Sequence, residues 1–253
     1  MKEEKMALSS NTLIHFTDDI IKLKKIVEDG FKVYNCKESI VLGGKATIYH
    51  APMVSFCDIP LSEIKEHISK YGSYGLGMTK EWAIKKGLNP VLYLSANSTL
   101  SANYRTAFNH FNAQDDDDVD IWSNEQKSLA DVLRYIKNYE ADLIRNNIEI
   151  KNYRFSDERE WRYVPDISEK CDMIMGGDWY ADSKNKKDAD EKLSDLRLDF
   201  DPCDIKYIII RDDSEIGNLI DHLRRAKGDS YSLHDIERLT TRILTADQIK
   251  GDI

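Results

Sequence analysis

The chain has 253 residues, enough for one large domain or two small ones. Hydrophobic residues make up 41% of it and charged residues 32%, a globular composition that excludes fibrous and disordered classes. The net charge of −9 argues against a large sequence-independent contact with nucleic acid. Four scattered cysteines predict reduced thiols and no metal site, and no apolar run approaches the roughly 20 residues of a membrane span. We therefore expect a soluble, cytoplasmic protein.

The N-terminal part predicts strands that alternate with helices. Asn11–Phe16 is typical of a strand, and Thr17 is placed to cap a helix that starts at Asp18 and ends at Gly30. Phe31–Tyr34 predicts a second strand, and residues 36–45 predict a loop around two glycines.

The next segment is dense in start and stop signals. The predicted elements are a strand at Met53–Cys57, a helix capped by Ser62 that ends at Tyr71, an extended stretch at Tyr74–Met78, a helix at Lys80–Lys86 capped by Thr79, and a strand at Pro90–Leu94. Helices are predicted at 101–112 and 124–146, on either side of an acidic run at Asp115–Asp118 and Asp120 that we interpret as a solvated loop.

The C-terminal part predicts further strands and helices. These are strands at Glu158–Val164, Asp204–Ile210 and Thr241–Leu244, helices near 214–226 and 232–238, and a last helical turn capped by Thr245. Because the elements interleave without a regular βαβ repeat, we predict an α+β fold with a mixed or antiparallel sheet and flanking helices. We expect a single domain over residues 1–253, with a helical insertion at about 98–150.

Three motifs carry possible chemistry at or near predicted strand ends. They are His15-Phe16-Thr17, the run Met53–Ser62, and the run Asp157–Tyr163. Glu158 and Glu160 stand two residues apart, so on a strand they would share one face. Such a pair suits general acid–base catalysis. The same residues also fit a surface ion-pair ladder, and His15 fits a structural histidine.

Several of these motifs, in order, resemble the AbiGi family of bacterial abortive-infection proteins. The resemblance rests on His15-Phe16-Thr17, Met53–Ser62, Tyr71–Gly75, Lys80–Ala83, Gly87–Pro90 and Glu158–Arg162, and it extends to Phe200–Pro202 and Tyr207–Ile210. It implies a phage-defence protein of a toxin–antitoxin system with a cognate toxin or antitoxin partner. The family carries an antitoxin label, and a partner gene is treated as a toxin.

A strand carrying His15-x-Thr17, a helix ending at Gly30 and a late strand carrying Glu160 resemble, more distantly, the ADP-ribosyltransferase fold, including the DarT-type enzymes that modify nucleic acid. This resemblance implies that NAD is a substrate, that His15 binds a ribose hydroxyl, and that Glu160 is the catalytic glutamate stabilising an oxocarbenium-like charge, with Glu158 acting on the acceptor. Thr17 belongs to the same strand motif, and Ser55, Tyr71 and Tyr74 are the alternatives for contacting nicotinamide. The implied acceptor is RNA or DNA.

Three functions therefore stay open from the sequence. The first is a toxin-type ADP-ribosyltransferase, which we prefer. The second is a non-catalytic antitoxin or sensor, whose acidic surface suits a basic partner. The third is an RNA-cleaving toxin that uses His15 and the late glutamates.

Overall fold

The computed structural model describes residues 10–111, 121–145, 148–166, 171–228 and 231–252. The predicted acidic loop at Asp115–Asp118 and Asp120 lies outside these residues. The chain divides into two compact units, each made of segments that are separate in sequence. The first unit comprises Met1–Lys32, Ser55–Leu88 and Arg197–Ile253, and the second comprises Val33–Val54 and Asn89–Leu196. The expectation that residues 1–253 form a single domain stays a prediction, which this division into compact units does not decide.

Strands and helices interleave along the described chain. The strands are β1 (Thr12–Thr17), β2 (Phe31–Lys32), β3 (Tyr34–Leu42), β4 (Lys45–Cys57), β5 (Tyr74–Thr79), β6 (Asn89–Pro90), β7 (Leu92–Leu94), β8 (Ile136–Asn138), β9 (Ala141–Arg145), β10 (Ile148–Tyr153), β11 (Glu160–Tyr163), β12 (Met175–Gly176), β13 (Arg197–Leu198), β14 (Ile205–Ile210) and β15 (Ile243–Thr245). The helices are α1 (Ile20–Asp29), α2 (Lys65–Tyr71), α3 (Lys80–Lys85), α4 (Thr99–Phe111), α5 (Asn124–Arg134), α6 (Gly177–Ala181), α7 (Ser183–Lys192), α8 (Ile216–Lys227), α9 (Leu233–Thr240) and α10 (Ala246–Asp252).

The first unit is built on a mixed sheet. β1 pairs antiparallel with β5, which pairs antiparallel with β14, and β14 pairs in parallel with β15. The end of β4 joins β1 where Cys57 faces Ile14. Apolar side chains from the sheet and the helices bury one another, among them Ile14, Ile68 and Ile209. The α+β class with a mixed sheet is therefore confirmed.

The second unit is centred on the hairpin of β3 and β4, which pair from Tyr34↔Met53 to Leu42↔Lys45 around a turn at Gly43-Gly44. β12 adds to the outer part of β4, β11 pairs with β6, and β7 pairs in parallel with β8. Its core includes Ile40, Tyr49 and Leu133. The loop predicted at residues 36–45 is therefore wrong, since these residues form most of β3 and the hairpin turn.

Other predicted bounds also need correction. Asp19, not Thr17, caps α1, because its side chain accepts the N–H of Ile21 at 2.8 Å. Ser62 lies in a 3-10 turn, Leu61–Glu63, and α2 follows without a side-chain cap. The helix expected to reach residue 146 ends at Arg134, so the insertion expected to be helical also holds β8 and β9.

None of the helices within the described residues is both long enough and apolar enough to cross a bilayer.

Candidate functional site

His15 lies in the middle of β1, opposite Leu76 of β5, and its ring packs into an aromatic cluster. The imidazole centroid is 5.3 Å from the ring of Phe31 and 5.6 Å from that of Phe56. Its Nδ1 lies 2.8 Å from the carbonyl oxygen of Ser55 and donates to it, since a carbonyl oxygen can only accept. Burial lowers the pKa of His15, and the hydrogen bond to Ser55 only partly opposes that effect. His15 is thus a neutral histidine held by the fold, and Ser55 holds it through its main chain.

Thr17 and Tyr74 pair at the end of β1, and Tyr71 ends the helix α2 that precedes β5. Thr17 is buried and lies opposite Tyr74, the first residue of β5. The ring of Tyr71 stacks on His67 with 5.8 Å between centroids. Gly72, between the two tyrosines, has φ of 116°, and a Cβ there would lie 2.3 Å from the carbonyl oxygen of Thr17. Glycine at this position therefore allows the two chain segments to touch.

A polar cleft of about 650 Å³ opens beside this contact in the first unit. Its lining residues are Asp18, Asp19, Ile20, Ile68, Ser69, Gly72, Ser73, Tyr74, Arg211, Glu215 and Lys250. The hydroxyl of Tyr74 donates to Glu215 at 2.8 Å, and Arg211 lies 3.0 Å from the same carboxylate. Burial, followed by the hydrogen bond to Glu215, raises the pKa of Tyr74 to about 12. Of the residues predicted to bind a cofactor, Tyr74 lines this cleft. The carboxylates and cations beside it were not selected from the sequence.

Glu158 and Glu160 do not share a strand. Glu158 ends a 3-10 turn, Phe155–Glu158, and Glu160 begins β11, while Arg159 between them adopts a left-handed φ of 44°. The premise of a common strand face is therefore wrong. Both side chains nevertheless approach Lys137 of β8, at 2.7 Å from Glu160 and 3.8 Å from Glu158.

Glu160 is the centre of a buried ion-pair network. Its Oε1 accepts from Nε of Arg162 at 2.7 Å, and its Oε2 accepts from Nζ of Lys137 at 2.7 Å. Arg162, which is fully buried, also pairs with Glu38 at 2.7 Å. Glu158 is only 4% exposed and accepts from the hydroxyl of Tyr153 at 2.9 Å. The alternative of a surface ladder is therefore wrong as well, because the ion pairs lie inside the second unit.

The charges of this network fix its protonation. Burial alone would raise the pKa of Glu160, but the charges of Arg162 and Lys137 and their hydrogen bonds hold it well below its usual range. Burial would lower the pKa of Lys137, yet the carboxylates of Glu160 and Glu38 raise it. Since both carboxylate oxygens of Glu160 accept from cations, this group is an anchor for β11 and β8 in the structure.

Sequence reasoning placed Arg162 beside the glutamates in the alternative ion-pair ladder, but it missed Lys137. Glu160 and Arg162 are two residues apart on β11, so they share a face of the strand, as an ion pair requires. Lys137 gave no such signal, because its segment was predicted as a helix. Its position next to Glu160 results from the pairing of β8 with β7.

Among the described residues, one group offers several metal-ligating atoms. The side chains of Asp201, Cys203 and Asp204 bring them within 4.8 Å of one another. Asp204 accepts the N–H of Asp201 at 2.8 Å, and Asp201 accepts the hydroxyl of Tyr231 at 2.7 Å. These carboxylates already have partners, so we assign no metal to them.

Comparison with known proteins identifies the class. A family model described as "Putative abortive phage resistance protein AbiGi, antitoxin" matches residues 23–211. A curated relative, "Abortive phage resistance protein AbiGi" of Lactococcus lactis subsp. cremoris, is 30% identical over 226 residues, covering 81% of this chain and 89% of its own length. The chain therefore belongs to the AbiGi family of abortive phage resistance proteins. No solved structure matches it.

Proposed function

We propose that this protein is the antitoxin of an abortive-infection system and neutralises a toxin by binding it. The observation that carries the proposal is the state of Glu160, the catalytic glutamate implied by the transferase resemblance. Its oxygens accept from the buried Arg162 and the half-buried Lys137, and its side chain is 5% exposed. A transferase would need this carboxylate free to face a sugar. The antitoxin description of the matching family supports the same function.

The charge of the chain suits a basic protein partner. With 45 acidic residues against 36 lysines and arginines, the surface attracts a positively charged protein and speeds their encounter. The proposal requires that this chain bind the toxin, and it assigns no catalysed reaction to the chain. The chain therefore neutralises the toxin by covering its active surface.

Co-expression with the toxic product of a neighbouring gene tests this function. Growth should stop with the toxin alone, resume when this chain is co-expressed, and a complex of the two should co-purify. Expression of this chain alone should leave growth unchanged. Growth arrest by this chain alone, or failure to restore growth when both proteins are present in comparable amounts, would refute the antitoxin function.

A second candidate is an NAD-dependent ADP-ribosyltransferase toxin that modifies nucleic acid. The 650 Å³ cleft favours it, because Tyr74 lines the cleft and pairs with Thr17 at the end of β1, the strand that carries His15. In this function Arg211 and Lys250 would hold the phosphates of NAD. Transfer of radiolabel from NAD to RNA, DNA or protein, lost in Tyr74→Ala and Arg211→Ala but kept in Lys22→Ala, would establish the transferase. No transfer by the folded protein would exclude it.

A further inference from the structure

A second pocket of about 270 Å³ lies in the first unit and has an aromatic wall. Trp82, Phe200 and Tyr231 line it. The indole N–H of Trp82 donates to the carbonyl oxygen of Asp199 at 3.0 Å, and the hydroxyl of Tyr231 donates to Asp201 at 2.7 Å. These bonds hold two of the rings in fixed positions, so the wall is preformed.

The rim of the same pocket is acidic. Its lining carboxylates are those of Glu28, Asp29, Asp199, Asp201 and Asp204, against the lysines Lys85, Lys86 and Lys227. Five acids against three lysines give a formal charge of −2 around a wall of aromatic faces. Carboxylates and the faces of aromatic rings both attract cations, and an ammonium or guanidinium group is the ligand that uses both.

The pocket already contains a cation from this chain. Nζ of Lys227, the last residue of α8, lies 5.5 Å from the ring centroid of Phe200 and 5.9 Å from that of Tyr231. Its hydrogen bond to the carbonyl oxygen of Glu28 is long, at 3.5 Å. Desolvation lowers the pKa of Lys227 although four carboxylates act to raise it. Lys227 is therefore a weakly bonded occupant at the end of a helix, and its long side chain can turn outward into water.

We propose that this pocket binds a lysine or arginine side chain of the protein partner, and that Lys227 occupies it until the partner displaces it. This proposal rests on the antitoxin function for the identity of the partner. The chemistry of the pocket can be tested without any partner. An arginine fits best, because its planar guanidinium stacks on an aromatic face while it bonds carboxylates.

The first experiment titrates the purified full chain with Nα-acetyl-arginine methylamide and follows the indole N–H resonance of Trp82 by NMR. Lys227→Met removes the resident charge and keeps a similar stem, so we expect binding about tenfold tighter than in the wild type. Lys227→Arg keeps an occupant that fits the pocket at least as well, so it should bind the probe no more tightly than the wild type does. The citrulline analogue, which has no charge, should not bind any variant.

Equal affinity of the arginine probe for Lys227→Met and Lys227→Arg would overturn the proposal, as would binding of the citrulline analogue. If Lys227→Met does not fold, the wild type serves instead. In that protein a shift of the Trp82 resonance that Glu28→Gln and Asp29→Asn abolish would support the pocket, and no shift at saturating probe would overturn it.

The second experiment separates the pocket from the antitoxin function. The rim variant combines Glu28→Gln with Asp29→Asn and removes two exposed charges of the pocket rim. The control variant combines Glu63→Gln with Glu66→Gln and removes two charges elsewhere. We expect the rim variant to lose at least about tenfold in affinity for the toxin and the control variant to keep it. Full neutralisation by the rim variant would overturn the pocket and leave the antitoxin function standing. Failure of the wild type to neutralise the toxin would overturn the function, and the arginine titration would then decide the pocket alone.

Discussion

Replacing Glu160 by glutamine tests whether this residue is an anchor of the fold. The change keeps the size of the side chain and removes its charge. Oε1 now accepts from Arg162 and Oε2 from Lys137, both at 2.7 Å, and a glutamine can accept only one of these bonds. Its amide group would then face the other cation, which is repulsive.

The expected loss in the free energy of unfolding depends on the burial of Glu160 and on the carboxylates that Arg162 and Lys137 keep. Breaking a buried ion pair on one side costs about 3–5 kcal/mol. Arg162 keeps Glu38 at 2.7 Å, and Lys137 keeps Glu158 at 3.8 Å, so both cations retain a carboxylate. We therefore expect the lower value, about 3 kcal/mol, which is a large part of the roughly 5–15 kcal/mol that stabilises a typical domain.

Urea unfolding at pH 7, followed by circular dichroism, measures this loss. The matched control is Glu66→Gln, because Glu66 is 80% exposed and its pair with Lys70 lies on the surface of α2. The control should change the free energy of unfolding within the scatter of the measurement. A loss for Glu160→Gln no larger than that of the control would refute the role of the network.

The same variant has a pH signature. The pKa of Glu160 is lowered in the folded state, so its stabilisation is complete above the ordinary glutamate pKa and is lost as the pH falls towards the folded value. The difference between wild type and variant should therefore shrink below about pH 4.3, by about 1.4 kcal/mol per pH unit. A difference that stays constant from pH 7 to pH 3 would contradict this reasoning.

Three further predictions concern single residues. Gly72→Ala should lower the melting temperature by at least about 4 °C, because a Cβ there would lie 2.3 Å from a backbone oxygen. The control is Gly217→Ala in α8, where a Cβ meets no atom within 4 Å, and it should melt no lower than the wild type. His15 should titrate in NMR spectra below its ordinary pKa of about 6.5, and titration at or above that value would contradict its burial. Stability should fall as the pH drops from the ordinary pKa towards the lowered one. Burial raises the pKa of Cys36 from 9.0 to about 11, so at pH 8 its thiolate fraction is about 100-fold smaller than that of a thiol with the ordinary pKa. Cys36 should therefore react with iodoacetamide far more slowly than exposed Cys203, and equal rates would contradict this.

Elements with local chemical signals could be predicted from the sequence. The side chain of Thr79 accepts the N–H of Trp82 at the start of α3, and Thr245 accepts the N–H of Gln248 at the start of α10, as predicted. Gly30 ends α1 with φ of 84°. The apolar run in β14 forms a buried strand. Each of these signals depends on residues that are close in sequence.

Elements fixed by distant partners could not be predicted. Residues after Arg134 turn into β8 because Asn138 bonds both the N–H and the carbonyl oxygen of Val41, at 2.7 and 2.9 Å. Those bonds join residues 97 positions apart, which no local pattern reveals. The hairpin of β3 and β4 was missed because Gly43 and Gly44, which form only its turn, indicated a loop for all of residues 36–45.

The site was harder still to predict. The motifs around His15 and Glu160 were singled out, but sequence could not show that burial keeps His15 neutral or that two cations bind Glu160. Glu160 meets Lys137 only through the pairing of β7 with β8, and the turn at Arg159 removes Glu158 from the strand. A buried glutamate has the same sequence signature whether it faces a substrate or a pair of cations.

Because the two units consist of interleaved segments, the residues of one unit are completed before those of the other during synthesis. The second unit ends at Leu196, whereas the first unit takes its last segment from Arg197–Ile253 and needs β14 beside β5. A ribosome adding about 5–20 residues per second needs roughly 3–11 seconds for that segment. Until residues 205–227 have been added, β5 lacks its β14 neighbour and α8 is incomplete. A newly made chain therefore has all residues of the second unit before it has the residues that form the pocket around Lys227.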